Sequence, residues 1–323
     1  MTAPSPRSAA PSNAALTARF AEALARLWPE GGKLGLAVSG GPDSLALMLL
    51  AEAAIPGGFE VATVDHGLRA EAADECAKVA RICAERAIPC EVLRVDVGQG
   101  NLQEQARLAR YAALAVWARD RGLTALATGH HADDQAETLL MRLNRASGHA
   151  GLGGVRERGA VPGSDLPLVR PLLGFHRAEL AVVVAAAGLE AAFDPSNADA
   201  RFDRVRVRGA LADSAWLNPP ALAASAAHLA DGDEALAWAA EREWREAVRT
   251  PPGEVRYRCA APRAIALRVV SRAIETVGKA ARGQDAARLM DRLEAGQGGN
   301  VAGVLATVEG GEWVFRREPP RRT

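Results

Sequence analysis

Over its first two hundred residues the chain alternates short apolar runs with longer stretches of helical period. Residues 34–38 form an apolar run that ends in Ser39-Gly40-Gly41, and 43–54 follow with Leu45, Leu49 and Leu50 at helical spacing. The pairing recurs. Residues 59–64 read as a strand ending at Asp65-His66-Gly67, followed by a helix over 70–86. A strand over 90–95 precedes a helix that Asn101 would cap and that runs to about Arg121. A strand over 124–128 precedes a helix over 132–144. Strands alternating with helices predict an α/β fold with a doubly wound parallel sheet. Ligands of such sheets sit beyond the carboxyl ends of the strands. Three polar clusters fall there: 39–44, 65–69 and 129–137.

Further along, the glycine-rich 148–154 reads as a loop and 171–188 as one more strand-to-helix pattern. Asp194-Pro195-Ser196-Asn197 is a turn by composition. The character then changes. Pro219-Pro220 marks a break, 221–248 is an alanine-rich helical stretch, and helices are expected over 264–277 and 284–295. Residues 301–315 alternate like a small hairpin. The predicted organisation is a flexible tail over 1–15, a larger α/β domain over 16–215, and a smaller, mainly helical C-terminal domain over 216–323. Trp238 and Trp244 lie in an amphipathic stretch and are expected in the core.

Composition changes this picture little. The chain has 323 residues, 49% apolar and 24% charged, as in ordinary globular proteins. No apolar run reaches the roughly 18 residues of a membrane-spanning helix, and the Pro-, Ser- and Ala-rich start lacks the apolar core of a signal peptide. A cytoplasmic protein without a membrane partner is expected. Its 39 basic and 39 acidic residues cancel, so only a local patch would attract nucleic acid. Cys76, Cys83, Cys90 and Cys259 show no CxxC spacing and read as reduced thiols.

The hexapeptide Ser39-Gly40-Gly41-Pro42-Asp43-Ser44 carries the first chemistry. After a strand, glycines let the backbone aim several N–H groups at one anion, and the following helix adds its positive end. Pro42 suits the first helical turn. Asp43 would repel phosphate by itself, so a magnesium ion between them is expected. A bare Ser-Gly-Gly is also a tight turn that binds nothing. The loop is neither the Walker type nor GxGxxG.

The most informative segment is Thr128-Gly129-His130-His131-Ala132-Asp133-Asp134-Gln135-Ala136-Glu137-Thr138. On a helix, His130, Asp134 and Glu137 share one face, and Asp133 and Glu137 are i, i+4 neighbours. Carboxylates on one face near a phosphate loop hold magnesium or a cationic amine. An acidic helix N-terminus explains Asp133 and Asp134 without function, but not the adjacent histidines. Arg201, Arg204, Arg206 and Arg208 form a basic cluster, with 201, 204 and 208 on one face if helical. They read equally as a phosphate-neutralising patch or as a solvated face interleaved with Asp199 and Asp203.

Ser-Gly-Gly-x-Asp-Ser resembles the signature of the N-type ATP pyrophosphatases (the PP-loop superfamily, with an adenine nucleotide alpha hydrolase-like fold). Six ordered motifs over about residues 33–215 resemble the tRNA(Ile)-lysidine synthetases. Besides the hexapeptide they are Val64-Asp65-His66-Gly67-Leu68-Arg69; Asn101 with Glu104, Ala106, Arg107, Arg110 and Tyr111; the 128–138 segment continued to Leu152; Arg170-Pro171-Leu172-Leu173; and Asp194-Pro195-Ser196-Asn197. There are departures: Phe193 stands where the family often has an acidic residue, and Arg204-Val205-Arg206-Val207-Arg208 replaces its usual Arg-Asn-x-Ile-Arg.

The resemblance implies a C–N-bond-forming ligase that uses ATP and magnesium. It would adenylate the wobble cytidine of an isoleucine tRNA with a CAU anticodon and then attach free L-lysine. It assigns ATP to Ser39, Gly40, Gly41, Pro42, Asp43, Ser44, Asp65, His66, Gly129 and His130, and magnesium to Asp43. Asp43, Arg110, Asp134 and Glu137 would be catalytic, with Asp134 and Glu137 binding the lysine. Arg107, Arg201, Arg204 and Arg208 would meet the tRNA, and a homodimer is compatible with the chain. The alternatives are a tRNA thiolase of the same fold or a non-catalytic nucleotide-binding module.

Overall fold

The computed structural model describes residues 11–67, 70–98, 102–192, 201 and 203–319. Leu68, Arg69, Asn101, Phe193, the 194–197 turn and Asp199 lie outside the described residues. The chain divides into two compact units, Met1–His228 and Leu229–Thr323.

The first unit opens with a helix that sequence periodicity did not bring out. Helix α1 (Asn13–Leu27) buries Leu16, Phe20, Leu24 and Leu27, one stripe at helical spacing. Ser12 caps it by accepting from the Ala15 N–H at 3.3 Å. Residues 13–15, expected in the tail, belong to this helix. There follow β1 (Leu34–Ala37), α2 (Pro42–Ala54), β2 (Phe59–Asp65), α3 (Ala70–Glu85), β3 (Cys90–Arg94), α4 (Leu102–Asp120), β4 (Ala125–Thr128) and α5 (Ala132–Leu143), each within a residue or two of its sequence-predicted bounds. Residues expected as a glycine loop contain one helical turn, α6 (His149–Leu152). Then come β5 (Arg158–Ala160), β6 (Pro167–Val169), α7 (Arg177–Ala186) and α8 (Asp203–Asp213).

The six strands form one sheet in the order β3-β2-β1-β4-β6-β5. Every neighbouring pair is parallel except β5 with β6. The strand pleat sends alternate residues to opposite faces, and the two faces carry separate cores. Leu34 and Leu36 of β1, Val61 of β2 and Ala127 of β4 join α1, α2 and α7 in one cluster. Ala37, Ala62, Leu126 and Leu168 join Tyr111, Leu114 and Trp117 of α4 in the other. The doubly wound sheet expected from the sequence is present.

The long helix α9 (Pro219–Ala247) starts at the proline pair, which fills its first turn rather than breaking the chain. The division between the units falls inside α9. In the second unit, β7 (Val248–Arg249) and β8 (Glu254–Tyr257) precede α10 (Arg263–Val277) and α11 (Gly283–Glu294). Strands β9 (Gly299–Val301), β10 (Val304–Glu309) and β11 (Glu312–Arg317) complete an antiparallel sheet, β7-β8-β11-β10-β9. The expected hairpin is β10–β11; its extension into five strands was not legible. Val269, Val270 and Ile274 of α10 and Leu289, Met290 and Leu293 of α11 pack on Val255, Tyr257, Val304 and Phe315. Trp244 lies partly buried against this core, but Trp238 is 63% exposed, contrary to expectation. No helix among the described residues is long and apolar enough to cross a membrane.

Candidate active site

The phosphate loop joins β1 to α2. Gly40 adopts φ +83°, a left-handed conformation that side-chain-bearing residues rarely take. Gly41 is the N-cap of α2, and Pro42 occupies the first turn. Ser44 holds the loop closed: its hydroxyl accepts from the Ser39 N–H at 3.1 Å and donates to the Gly41 carbonyl at 2.9 Å. The Ala192 N–H donates to the Gly40 carbonyl at 2.9 Å. The N–H-rich mouth faces the carboxyl end of the sheet, where an anion is stabilised by the helix terminus.

Gly129, just beyond β4, lets the second cluster approach this loop. A Cβ there would lie 2.9 Å from the Asp43 carbonyl oxygen and 3.1 Å from the Ser44 nitrogen. Only glycine allows that contact. Helix α5 then begins at Ala132 with His131 as its N-cap, so His130 precedes the helix and does not share a face with Asp134 and Glu137. The Asp134 carboxylate accepts from the His131 N–H at 3.1 Å.

The adjacent histidines occupy opposite electrostatic surroundings. His130 accepts or donates at 2.9 Å to the Thr128 hydroxyl. Burial, with Arg170, Arg204, Arg110 and Arg107 around it, lowers its pKa to about 3, so it is neutral. His66 is lowered in the same way by burial and by Arg110, and its Nδ1 is buried without a hydrogen-bond partner. Arg170 is 8% exposed; one guanidinium nitrogen donates to the Arg156 carbonyl and its Nε is unsatisfied. Arg107 stacks over the Tyr111 ring at 5.0 Å. Burial and Arg107 lower Arg110. Arg170, buried, with half-buried Arg110 and exposed Arg107, gathers positive charge here that suits a polyanion.

His131 is fully buried and faces carboxylates. Its Nε2 lies 3.4 Å from Asp43 and 3.7 Å from Asp134, and its Nδ1 lies 3.4 Å from Asp133. Burial opposes its charge, but Asp133, Asp43 and Asp134 outweigh burial and push it to about 9. Asp133 accepts from the Arg177 N–H at 2.9 Å. Burial would raise it, but His131 and that N–H hold it well below the usual carboxylate range. One oxygen of Asp43, Oδ1, is buried without a hydrogen-bond partner.

Glu137 is 1% exposed. The guanidiniums of Arg204 and Arg208 donate to it at 2.7 Å each, and Arg177 at 3.3 Å. Arg204 also donates to Asp134 at 2.8 Å. Burial raises the Glu137 pKa, but Arg208 and Arg204 outweigh burial and lower it. Arg204 and Arg208, expected to meet the tRNA, are engaged here by buried carboxylates on α5 and stay partly exposed. Arg206 pairs instead with Asp203, the solvated arrangement, and Arg201 precedes α8. The Asp65 carboxylate is engaged locally, accepting from the Gly67 N–H at 2.9 Å.

The structure thus brings Ser39, Gly40, Gly41, Pro42, Asp43, Ser44, Gly129, His130, Asp134 and Glu137 to one end of the sheet, with Arg110 and His66 beside His130. Sequence reasoning missed three contributors. His131 was noticed only as half of a histidine pair. Arg170 was visible only inside the Arg170-Pro171 motif. Arg177 carried no signal, since its partner lies 40 residues away.

Among the described residues no cluster of three or more His, Cys, Asp or Glu side chains could cage a metal. Cys76 and Cys83 are buried in α3, Cys90 starts β3 and Cys259 belongs to the second unit. None of them lies in the phosphate loop or in the β4–α5 turn.

Residues 13–215 match the model of the PP-loop domain family. Curated relatives include the tRNA(Ile)-lysidine synthase of Novosphingobium aromaticivorans, 49% identical over 90% of this chain and 91% of that one. That of Zymomonas mobilis subsp. mobilis is 42% identical over 91% of each chain. Among solved structures, the U34-tRNA thiolase NcsA from Methanococcus maripaludis, solved with its [4Fe-4S] cluster, aligns with a TM-score of 0.53 at 18% identity, covering 68% of this chain and 79% of that one. At that identity it shares the fold alone. On the PP-loop match over residues 13–215 and on these relatives, each matched over about nine tenths of both chains, the chain belongs to the tRNA(Ile)-lysidine synthase family.

Proposed function

We propose that the chain is a cytoplasmic ligase that joins L-lysine to C2 of the wobble cytidine in the CAU anticodon of an isoleucine tRNA, with ATP and magnesium. In the first step the cytidine C2 oxygen attacks the α-phosphorus of ATP and pyrophosphate leaves. In the second the ε-amine of lysine attacks C2, loses a proton, and AMP departs with the C2 oxygen. Adenylation converts a poor leaving oxygen into a good one.

The observation that carries this reading is the split in charge across Gly129–Asp134. The Arg107, Arg110 and Arg170 side, with the loop of Ser39 to Ser44, suits a triphosphate and its leaving pyrophosphate. The carboxylate side, with Asp134 and Glu137, suits an ammonium and can take its proton. Neutral His130 donates or accepts a hydrogen bond between them without adding charge. Asp43 fits magnesium: its Oδ1 is buried without a partner, and magnesium is usually held by one or two carboxylates plus phosphates. Magnesium there would offset charge building on the phosphates. Arg107, Arg201, Arg204 and Arg208 are the proposed tRNA contacts, the last two held in place by the α5 carboxylates.

The test is incubation with ATP, magnesium, labelled L-lysine and a set of tRNAs. Label confined to the isoleucine tRNA with a CAU anticodon, with one AMP and one pyrophosphate per lysine, is the expected outcome. ATP-dependent pyrophosphate release without lysine incorporation into any tRNA would overturn it.

A further inference from the structure

The two carboxylates suited to an amine, Asp134 and Glu137, face three guanidiniums in this site, those of Arg177, Arg204 and Arg208. Arg204 alone bridges the two carboxylates suited to an amine, with its Nε on Glu137 at 2.7 Å and its terminal nitrogen on Asp134 at 2.8 Å. A substrate ammonium placed between Asp134 and Glu137 would occupy the position of this guanidinium, so the two cations compete for one carboxylate pair.

The helix that carries Arg204 is lightly held. Leu211 is the one buried residue among the described residues of α8. Ion pairs also tie α8 to the rest of the first unit: Arg204 and Arg208 to α5, and Asp203 to Arg145, a pair with both partners largely exposed. The Arg204 side chain is itself 41% exposed, so solvent and a small solute reach it. An ammonium is a compact charge with three donors and can replace a guanidinium on a carboxylate pair.

We infer that Arg204 is a positioning residue that keeps the amine subsite closed, and that the substrate amine enters by displacing it from Asp134 and Glu137, loosening α8. The inference rests on the reading of Asp134 and Glu137 as the lysine subsite. It makes lysine binding and α8 release reciprocal: whatever frees α8 strengthens lysine binding, by the same factor.

Two measurements test it on the full-length protein. In steady-state lysine transfer to isoleucine tRNA, R204Q removes the competing cation, and its KM for L-lysine falls by roughly threefold or more, the size expected for one half-exposed ion pair. A residue needed only for folding or for phosphate contact does not lower that KM, so an unchanged or raised KM for lysine overturns the inference. In the wild-type protein, hydrogen–deuterium exchange of the 203–213 amides speeds up when L-lysine is added at a concentration that supports transfer, and glycine has no such effect. Unchanged or slower exchange there, with lysine transfer intact, overturns the inference and leaves the proposed reaction standing. If no tRNA accepts lysine at all, the proposed reaction itself falls.

Discussion

His131 lies against Asp43, Nε2 to Oδ2 at 3.4 Å, although one residue opens α5 and the other opens α2. The contact ties the phosphate loop to the carboxylate cluster, and His131 is the one cation buried among three aspartates. H131N retains a polar side chain, smaller than the imidazole, and removes the charge. Because Asp43 and Asp133 keep about a third of their surface, the expected cost is about 1–3 kcal/mol rather than that of a fully buried pair. Urea unfolding of H131N without nucleotide checks it, together with a reduced rate of ATP-dependent pyrophosphate release.

A methyl group is enough to test the approach of the two turns. G129A places its Cβ 2.9 Å from the Asp43 carbonyl oxygen, and backbone cannot yield as a side-chain tip does. The variant is expected to lose about 1–3 kcal/mol of stability by overpacking. It is expected to lose at least roughly tenfold in pyrophosphate release, since Asp43 shifts from its place. Wild-type kinetics in G129A would show that the approach is dispensable.

Glu137 bears three arginines. E137Q leaves them facing one another, and because the three guanidiniums keep about a third of their surface or more, the expected cost is about 1–3 kcal/mol rather than that of a fully buried pair. Under the proposed chemistry it also transfers lysine poorly from a preformed adenylate, while D43A fails before that, with no AMP formed. Single-turnover assays with trapped adenylated tRNA separate the two. Lysine transfer by E137Q at the wild-type rate contradicts the assignment.

The pH dependence follows from His130. Folded, it titrates near 3; its ordinary value is 6.5. The unfolded chain therefore takes up the proton first. Stability from this residue is complete above about pH 6.5 and declines as pH falls toward 3, by up to about 1.4 kcal/mol per pH unit. Denaturation midpoints in a chelator, without nucleotide, are expected to drop between about pH 7 and pH 5. H130N should flatten that slope, and an equal slope in H130N would exclude His130 as its source.

The strands and helices of the first unit were legible because each apolar run is short and each helix follows at once. The phosphate loop was legible because its constraints are local: a left-handed Gly40, a proline in the first turn, and serines that close the loop on itself. What escaped was non-local. Helix α1 packs against α2 and α7, and nothing near Asn13 announces that. Strand β5 is exposed at the sheet edge and carries no apolar pattern. The fate of Arg204 and Arg208 depended on Glu137, some seventy residues earlier. The face shared by His130, Asp134 and Glu137 was an assumption of helix geometry that failed because α5 starts two residues later than His130.

Gln135 offers a last consequence. From inside α5 its side-chain amide both accepts from the Val155 N–H and donates to the Val155 carbonyl, at 2.7 Å each, as a neighbouring strand would. Arg142, two turns on, donates to the carbonyls of Gly151 and Gly154. Residues 148–155 are thus an outrigger of α5 and not a spacer. A peptide spliced into that stretch would lever Asp134 and Glu137 out of register, whereas one spliced into the exposed turn at 162–165, between β5 and β6, would hang clear of the chemistry.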